Sequence, residues 1–234
     1  MLRRSIRARR IISKVRVPGT GPSPAPPSSH AILFLSMTSS PLVTHLLPGS
    51  LTFFAGPMFS GKTLELVRHL QIFQEQQIPS ICLRPAFDTR TPVVQSKSGL
   101  LMEGTLVEAT NLERIRELMS DKFVIGIDEI QFFTTDIVPL LEEELRKGKT
   151  ILVAGLDNDF RGKVFPVSHA LMAIPETVLQ RSRSVCSVCR QYNATRTQRL
   201  RNGVPVTTDE SSTVLENSQQ NMTYEARCLA HHVI

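Results

Sequence analysis

Eight consecutive residues have the chemical signature of a phosphate-binding loop. They fit the pattern G-x-x-x-x-G-K-[ST] and are Gly56, Pro57, Met58, Phe59, Ser60, Gly61, Lys62 and Thr63. In such a loop the glycines let backbone N–H groups turn inward onto phosphate, the lysine reaches the β- and γ-phosphates, and the threonine hydroxyl binds Mg²⁺. A strand-like run at 51–55 precedes the pattern, which makes an ordinary glycine turn the weaker interpretation. The residues therefore predict binding of a nucleoside triphosphate, and they leave kinase, motor and switch functions open.

Two adjacent carboxylates, Asp128 and Glu129, follow a second apolar run at 123–127. In a phosphate-loop protein, a strand that ends in this way carries its acidic residues to the sheet edge where phosphates bind. Asp128 would hold Mg²⁺, directly or through water. Glu129 would accept a proton from an attacking hydroxyl or water. The alternative is a strand end with two solvated charges, and the upstream phosphate loop favours the catalytic interpretation.

A third polar group, Asp88-Thr89-Arg90, follows the second strand-like run. The loop after that strand lies at the same sheet edge, where an arginine would stabilise the charge of a transferred phosphoryl group. The same three residues are common in solvated turns, so both interpretations stay open.

Three of the four cysteines and one histidine form two short pairs of metal-ligand type. The pairs are Cys186-x-x-Cys189 and Cys228-x-x-His231. Each pair offers two ligands from one tight turn, and together they match a zinc-ribbon-like site of three thiolates and one imidazole. Four protein ligands close the coordination sphere, which predicts a structural Zn²⁺ that pins the intervening loop, 190–227. Disulfide bonding is the competing interpretation, and His232 is an alternative to His231.

Short apolar runs alternate with helical patterns from Leu51 onward. The predicted strands are 51–55, 80–84, 123–127 and 150–156. The predicted helices are 63–75, 112–119 and 135–146. Continuous Val/Ile/Leu strands separated by helices indicate an α/β fold, a P-loop domain with a parallel sheet and helices on both faces. After Val178 cysteines and turn residues accumulate, which indicates a small second domain.

Charge is distributed unevenly along the chain. Its 234 residues carry a formal net charge of +6, but all seven basic residues before Ser50 lie in the first sixteen positions. The remainder holds 20 basic and 21 acidic residues, so no nucleic-acid partner is predicted from charge. No apolar run approaches the roughly 20 residues that cross a bilayer, so no membrane partner is predicted either.

Six motifs together resemble the type II (cytosolic, zinc-containing) family of thymidine kinases, over roughly 51–232. They are Gly56–Thr63, Asp88–Arg90, Gly126–Phe133, Gly155–Gly162, Thr195–Arg199 and Tyr224–Cys228. The resemblance implies ATP-dependent phosphorylation of the 5′-hydroxyl of thymidine, with deoxyuridine as a further candidate acceptor, in DNA-precursor salvage. It also implies catalytic Mg²⁺, structural Zn²⁺, a homotetramer and a cytoplasmic location.

The resemblance assigns roles to individual residues. It implies that Glu129 is the general base on the 5′-hydroxyl and that Asp128 serves Mg²⁺. It implies that the phosphate loop binds the nucleotide together with Asp88, Arg90 and Gln131. The implied walls of the nucleoside pocket are Met58, Phe132, Leu156, Phe160 and Phe165.

Thr197 and Tyr224 are implied to belong to a lasso that closes over the sugar and base. Such a lid excludes water and so protects the phosphoryl group from hydrolysis. Four positions depart from the family pattern: Ile130 replaces a small residue, Lys97 stands where Ser-His is expected, His231 takes a position often held by Cys, and 214–218 lacks a glycine. The implied backbone contacts to the base depend on that last segment.

Composition and pattern divide the chain into three predicted segments. They are a disordered basic and proline-rich leader at 1–48, a P-loop nucleotide-binding kinase domain at 49–178 and a zinc-binding lasso domain at 179–234. The leader is typical of an organelle transit peptide, and an early assigned start with Met37 as the true one is the alternative.

A second function class is a P-loop ATPase coupled to a zinc ribbon that binds nucleic acid. Six arginines lie within 181–201, but Tyr192 is the one aromatic residue there. Binding of single-stranded nucleic acid favours stacking aromatic residues beside the charge, so the kinase is the leading interpretation.

Overall fold

The chain folds into short strands that alternate with helices. The computed structural model describes residues 47–86, 93–95, 101–206 and 221–234. In chain order its elements are β1 (Leu51–Ala55), α1 (Lys62–Glu75), β2 (Ser80–Pro85), β3 (Val93–Gln95), β4 (Leu101–Glu103), β5 (Thr105–Val107), α2 (Leu112–Met119), β6 (Val124–Ile127), a 3₁₀ turn (Ile130–Phe132), α3 (Ile137–Arg146), β7 (Thr150–Gly155), α4 (Pro166–Met172), β8 (Thr177–Arg181), β9 (Arg196–Arg201), β10 (Val204–Pro205), β11 (Met222–Arg227) and a second 3₁₀ turn (Leu229–His231).

Six of the strands form one parallel sheet, in the order β5-β2-β6-β7-β1-β8. Strand β7 lies between β6 and β1, and its register aligns Val153 with Ile127 and Gly155 with Ala55. The carboxyl ends of β1, β6 and β7 therefore lie side by side at one edge. Ligands of open α/β sheets bind at this kind of edge.

Alternate strand residues contribute to two separate hydrophobic cores. Phe53 and Ile125, both fully buried, belong to the core that packs α2, α3 and α4 against one face. Phe54 and Leu70 belong to the core that packs α1 against the other face. Successive side chains of a strand point to opposite faces, so neighbouring phenylalanines hold different helices. The predicted α/β fold with helices on both faces is confirmed.

A smaller antiparallel sheet, in the order β10-β9-β11, follows the large one. Strand β9 pairs with β11 along its whole length, from Arg196 with Arg227 to Arg201 with Met222. Strands β3 and β4 form a further antiparallel pair. The smaller sheet carries Thr197 and Tyr224 on adjacent strands.

The four predicted strands and three predicted helices are present, with ends within two residues of those expected. Sequence patterns missed α4, the strands β3, β4, β5 and β8, and the smaller sheet. Burial and polarity explain two of these misses. Strand β8 is only partly buried, and β9 carries polar and charged side chains around Leu200. Neither gives the continuous apolar run on which strand recognition depends.

Some sequence predictions concern residues outside the described ranges. They are the leader up to residue 46, Asp88, Arg90, Lys97 and the lasso segment 207–220. The predicted domain limits at 48 and 178 stay predictions, and strand β8 runs across the second of them. None of the helices in the described ranges has the length and apolar composition needed to cross a bilayer.

Replacing Leu70 by Ala should lower the free energy of unfolding by about 2–5 kcal/mol, because a cavity would remain where the leucine packs. Leu70 is fully buried beside Gly126 of β6. Ile72→Ala on the same helix is the control, since that side chain is 39% exposed, and it should cost less. Chemical denaturation measures both. Equal losses would contradict the buried face assigned to α1.

Candidate active site and metal centre

The phosphate loop joins β1 directly to α1, and its two glycines adopt conformations that other residues rarely reach. Gly56 has φ 145°, and a Cβ there would lie 2.5 Å from the carbonyl oxygen of Ser182. Gly61 has φ 83° and immediately precedes the first helical residue, Lys62. The Lys62 ammonium donates to the carbonyl of Pro57 at 2.7 Å. The loop therefore has the tight backbone that the sequence predicts, and the contact of Lys62 with phosphate stays a prediction.

Two hydroxyl groups from the C-terminal part of the chain hold this loop. The backbone N–H of Met58 donates to Thr197 Oγ1 at 3.1 Å. The Ser184 hydroxyl donates to the carbonyl of Phe59 at 3.0 Å. Phe59 has φ 64°, a left-handed conformation that costs free energy in a non-glycine residue. These long-range bonds help to keep the strained loop in one conformation.

The Ser60 hydroxyl is suited to an incoming phosphate oxygen. Its Oγ is buried and has no hydrogen-bond partner among the described residues. A buried hydroxyl without a partner costs free energy. A bound phosphate oxygen would supply that partner, so the loop fits the nucleotide that its sequence predicts.

Asp128 lies beside the start of α1, as a magnesium ligand should. The Thr63 hydroxyl donates to Asp128 Oδ1 at 3.1 Å. Adjacent oxygen ligands of an octahedral Mg²⁺ are about 3 Å apart, so this pair of oxygens fits the ion. Burial, followed by repulsion from Glu129, raises the pKa of Asp128 to about 7, although Arg84 and the Thr63 hydrogen bond act in the opposite direction. A bound cation would favour the ionised carboxylate.

Glu129 begins the turn after β6 and is held at both its backbone and its side chain. It has φ 54° and ψ 46°, so the chain bends sharply at this residue. Its N–H donates to Asp128 Oδ1 at 3.1 Å, and its Oε2 accepts from Gln131 Nε2 at 2.5 Å. The chain therefore turns sharply between Asp128 and the 3₁₀ turn, and Gln131 holds one oxygen of the Glu129 carboxylate.

Residues predicted to surround a nucleoside come from several elements. Phe132 lies in the 3₁₀ turn after Glu129, and Leu156 directly follows β7. Phe165 precedes α4 and is 7% exposed, and Phe160 is 3% exposed. Met58 lies in the phosphate loop. These residues therefore follow β1, β6 and β7, whose carboxyl ends lie side by side at one sheet edge.

Phe160 and Tyr224 contact one buried cation that the sequence analysis missed. The Arg199 guanidinium carbon lies 4.1 Å from the centre of the Phe160 ring and 5.5 Å from that of Tyr224. Its Nε donates to the Tyr224 hydroxyl at 3.0 Å. Arg199 is 1% exposed, and aromatic faces attract a desolvated cation strongly. It therefore links the smaller sheet to Phe160.

Arg84 is a second buried arginine that sequence reasoning did not identify. It lies on β2 and is 6% exposed, and its positive charge opposes the rise in the pKa of Asp128. Its position in an otherwise apolar strand was the available signal. Gln131 has side-chain hydrogen bonds to Glu129 and to the N–H of Leu156, and the nucleotide contact that the family resemblance implies for it stays a prediction.

The predicted metal ligands meet in one cluster. Cys186, Cys189, Cys228 and His231 offer ligand atoms that all lie within 4.8 Å of one another. The Nδ1 atom of His231 is 3.1 Å from Cys228 Sγ and 3.8 Å from Cys186 Sγ. Ligand atoms around a tetrahedral Zn²⁺ are about 3.5–3.8 Å apart, so the group fits a metal ion. All four cysteines of the chain are free thiols, which excludes the disulfide alternative in this structure.

Local hydrogen bonding prepares the cluster for a cation. Although burial raises the pKa of Cys186, backbone N–H groups of Cys189, Cys228 and Val188 lower it to about 6. A thiolate is the form that binds metal. His232 points elsewhere, since its Nε2 lies 2.7 Å from the carbonyl oxygen of Phe160. Of the two histidines, the structure places His231 in the cluster.

Comparison with known proteins agrees with this geometry. A family model described as thymidine kinase matches residues 49–232. The chain belongs to the thymidine kinase family. A curated thymidine kinase from Coprothermobacter proteolyticus is 41% identical over 188 residues, which cover 80% of this chain and 91% of that protein. The family match spans the phosphate loop, the two carboxylates and the Cys/His cluster, so the resemblance drawn from six motifs is confirmed.

The hydrogen bond from Ser184 to the phosphate loop yields a test. Replacing Ser184 by Ala should weaken binding of Mg·ATP about 2- to 10-fold, the worth of one neutral hydrogen bond. Ser187→Ala is the matched control, because its hydroxyl donates to Glu225 instead, at 2.7 Å. Isothermal titration calorimetry without an acceptor measures both affinities. Equal affinities for the two variants would show that Ser184 does not support the loop.

Proposed function

We propose that this chain transfers the γ-phosphoryl group of ATP to the 5′-hydroxyl of thymidine. One observation carries the proposal: the Asp128 carboxylate accepts from both the Thr63 hydroxyl and the backbone N–H of Glu129, so both acidic residues lie at one sheet edge beside the phosphate loop. Family membership supports thymidine as the acceptor. The products are thymidine monophosphate and ADP, and deoxyuridine is a candidate second acceptor.

The phosphate loop and its flanking residues bind and orient the donor. Loop N–H groups and Lys62 hold the phosphates, with Ser60 as a further hydroxyl contact. Thr63 and Asp128 hold Mg²⁺, which neutralises charge on the transferred group when it is bound. We also propose Asp88 and Arg90 as nucleotide contacts, on the strength of the family resemblance.

Glu129 acts on the acceptor. Its Oε1 takes the proton of the 5′-hydroxyl while the oxygen bonds to the γ-phosphorus, and the bond to the β,γ-bridging oxygen breaks. Gln131 donates to Oε2, so Oε1 is the oxygen assigned to proton transfer. The acceptor lies among Met58, Phe132, Leu156, Phe160 and Phe165, an apolar set suited to a pyrimidine base and its sugar. Thr197 and Tyr224 complete the enclosure.

The Cys/His cluster has a structural task in this proposal. Four protein ligands leave no open coordination position, so a bound Zn²⁺ would stabilise the lasso and take no part in phosphoryl transfer. We further propose a homotetramer in the cytoplasm, as the family resemblance implies. The alternative of an ATPase with a nucleic-acid-binding ribbon is not favoured, because the kinase family match includes the ribbon residues.

Replacing Glu129 by Gln should lower kcat with thymidine by about 10²- to 10⁴-fold, because the base is lost while its shape is kept. Binding of ATP should persist, since the phosphate loop is unchanged. ADP release measured with thymidine, deoxycytidine, single-stranded DNA or no acceptor tests the activity. Calorimetry tests ATP binding.

Glu113→Gln is the control for that substitution, because Glu113 is an exposed residue in the first turn of α2. Its kcat should equal that of the unchanged protein. ADP release stimulated by DNA and not by thymidine would overturn the kinase assignment. Full turnover by Glu129→Gln would overturn the assigned base.

Two neighbouring histidines give a matched test of the metal centre. His231→Ala should lose zinc and lower the thermal unfolding temperature, because a structural ion contributes directly to folding stability. His232→Ala should retain one zinc per chain, since its ring bonds to a backbone carbonyl. Elemental analysis of the purified proteins measures zinc content. Zinc loss in the His232 variant alone would reverse the ligand assignment.

A further inference from the structure

Gln131 bridges the ends of two strands through its side-chain amide. The side chain is 7% exposed and lies in the 3₁₀ turn after β6. Its Nε2 donates to Glu129 Oε2 at 2.5 Å, and its Oε1 accepts from the N–H of Leu156 at 2.9 Å. We propose that Gln131 is a positioning residue that holds the Glu129 carboxylate in place for proton transfer. This inference rests on the proposed function, in which Glu129 is the base.

The neighbouring backbone determines which way the amide of Gln131 faces. The N–H of Leu156 is a donor, so the atom opposite it must be the amide oxygen. The NH₂ group then faces Glu129, and an NH₂ group can only donate. The donated hydrogen bond therefore holds Oε2 of Glu129 at a defined position. The backbone N–H directly after β7 thereby fixes the orientation of the Gln131 amide, and the amide in turn holds the carboxylate that follows β6.

The strand ends are shaped to admit this amide. A Cβ at Gly155 would lie 2.6 Å from Gln131 Oε1 and 2.6 Å from Ile130 Cγ2. Any larger residue there would displace the bridge. Leu156 is itself fixed on its other side, because its carbonyl accepts from the Ser168 hydroxyl at 2.7 Å. The amide thus contacts a firmly held segment on one side and the base on the other.

Glu129 has few local means of holding its own side chain. Its backbone is in the left-handed region, and its N–H bonds to Asp128, the neighbour whose charge repels it. The hydrogen bond from Gln131 Nε2 holds the Glu129 carboxylate against that repulsion. Orientation of a base within hydrogen-bond reach of the acceptor is what general base catalysis requires.

Two substitutions of Gln131 separate the donor from the acceptor. Gln131→Glu keeps an oxygen opposite the N–H of Leu156 and replaces the donor by a second carboxylate oxygen, which repels Glu129, while Gln131→Met removes both bonds without adding charge. In each variant kcat with thymidine should fall about 10- to 100-fold, the worth of a hydrogen bond to a charged group. The KM for ATP should stay unchanged, because the phosphate loop is not altered.

Gln198→Met is the matched control. Gln198 is fully buried, and its Oε1 accepts a backbone N–H, that of Val233, at 2.8 Å. Its Nε2 donates to the carbonyl of Arg199 and not to a carboxylate. This variant therefore also loses a buried donor and acceptor, and its unfolding temperature should fall while kcat is retained.

A double substitution distinguishes positioning from general structural support. In the Glu129→Gln background, Gln131→Glu should reduce the residual kcat no further, because its partner is already changed. Wild-type kcat in Gln131→Glu, or an additive loss in the double variant, would overturn the proposal. Loss of ATP binding in both Gln131 variants, with binding kept in Gln198→Met, would also overturn it.

The same experiment reports separately on the proposed function. Loss of turnover in Glu129→Gln but not in Gln131→Glu would leave the base assigned and remove only the positioning role. Full turnover in Glu129→Gln would remove the base and the positioning role together.

Discussion

Parallel pairing of β6 and β1 with β7 is the constraint on which the candidate site depends. The register aligns Ala55 with Gly155 and Ile127 with Val153, so three segments leave the sheet at neighbouring positions. The phosphate loop follows β1, the two acidic residues follow β6, and Leu156 follows β7. Strands are held about 4.8 Å apart by backbone hydrogen bonds. The residues proposed to bind donor and acceptor therefore leave the sheet side by side.

That edge also concentrates buried charge, which its neighbours must compensate. Burial makes the largest contribution to the raised pKa of Asp128, and Glu129 adds repulsion. Arg84 and the Thr63 hydroxyl offset only part of this cost. A divalent cation would offset the remainder, so the family assignment and the electrostatics of the strand end agree. Sites that store such a cost commonly carry function.

The hydrogen bonds that hold the phosphate loop come from segments that also carry the candidate metal ligands. Ser184, which holds the loop at Phe59, lies two residues before Cys186. Thr197, which holds it at Met58, pairs with Ala226, two residues before Cys228. The segments that carry the metal ligands therefore also fix the backbone around the donor phosphates. A metal far from the chemistry can influence the site through these hydrogen bonds.

The sequence by itself determined the features that depend on local spacing. Each of these features lies within a few consecutive residues: the phosphate loop, the two carboxylates at a strand end, and the two Cys/His pairs. One turn or one strand end is enough to bring the residues of each feature together. Tertiary structure alone decided which distant groups meet. His231, and not His232, lies in the Cys/His cluster. Arg199 packs against the rings of Phe160 and Tyr224, and the Gln131 amide donates to Glu129. Strand pairing sets those contacts, and no local pattern records which backbone N–H will lie opposite a given side chain.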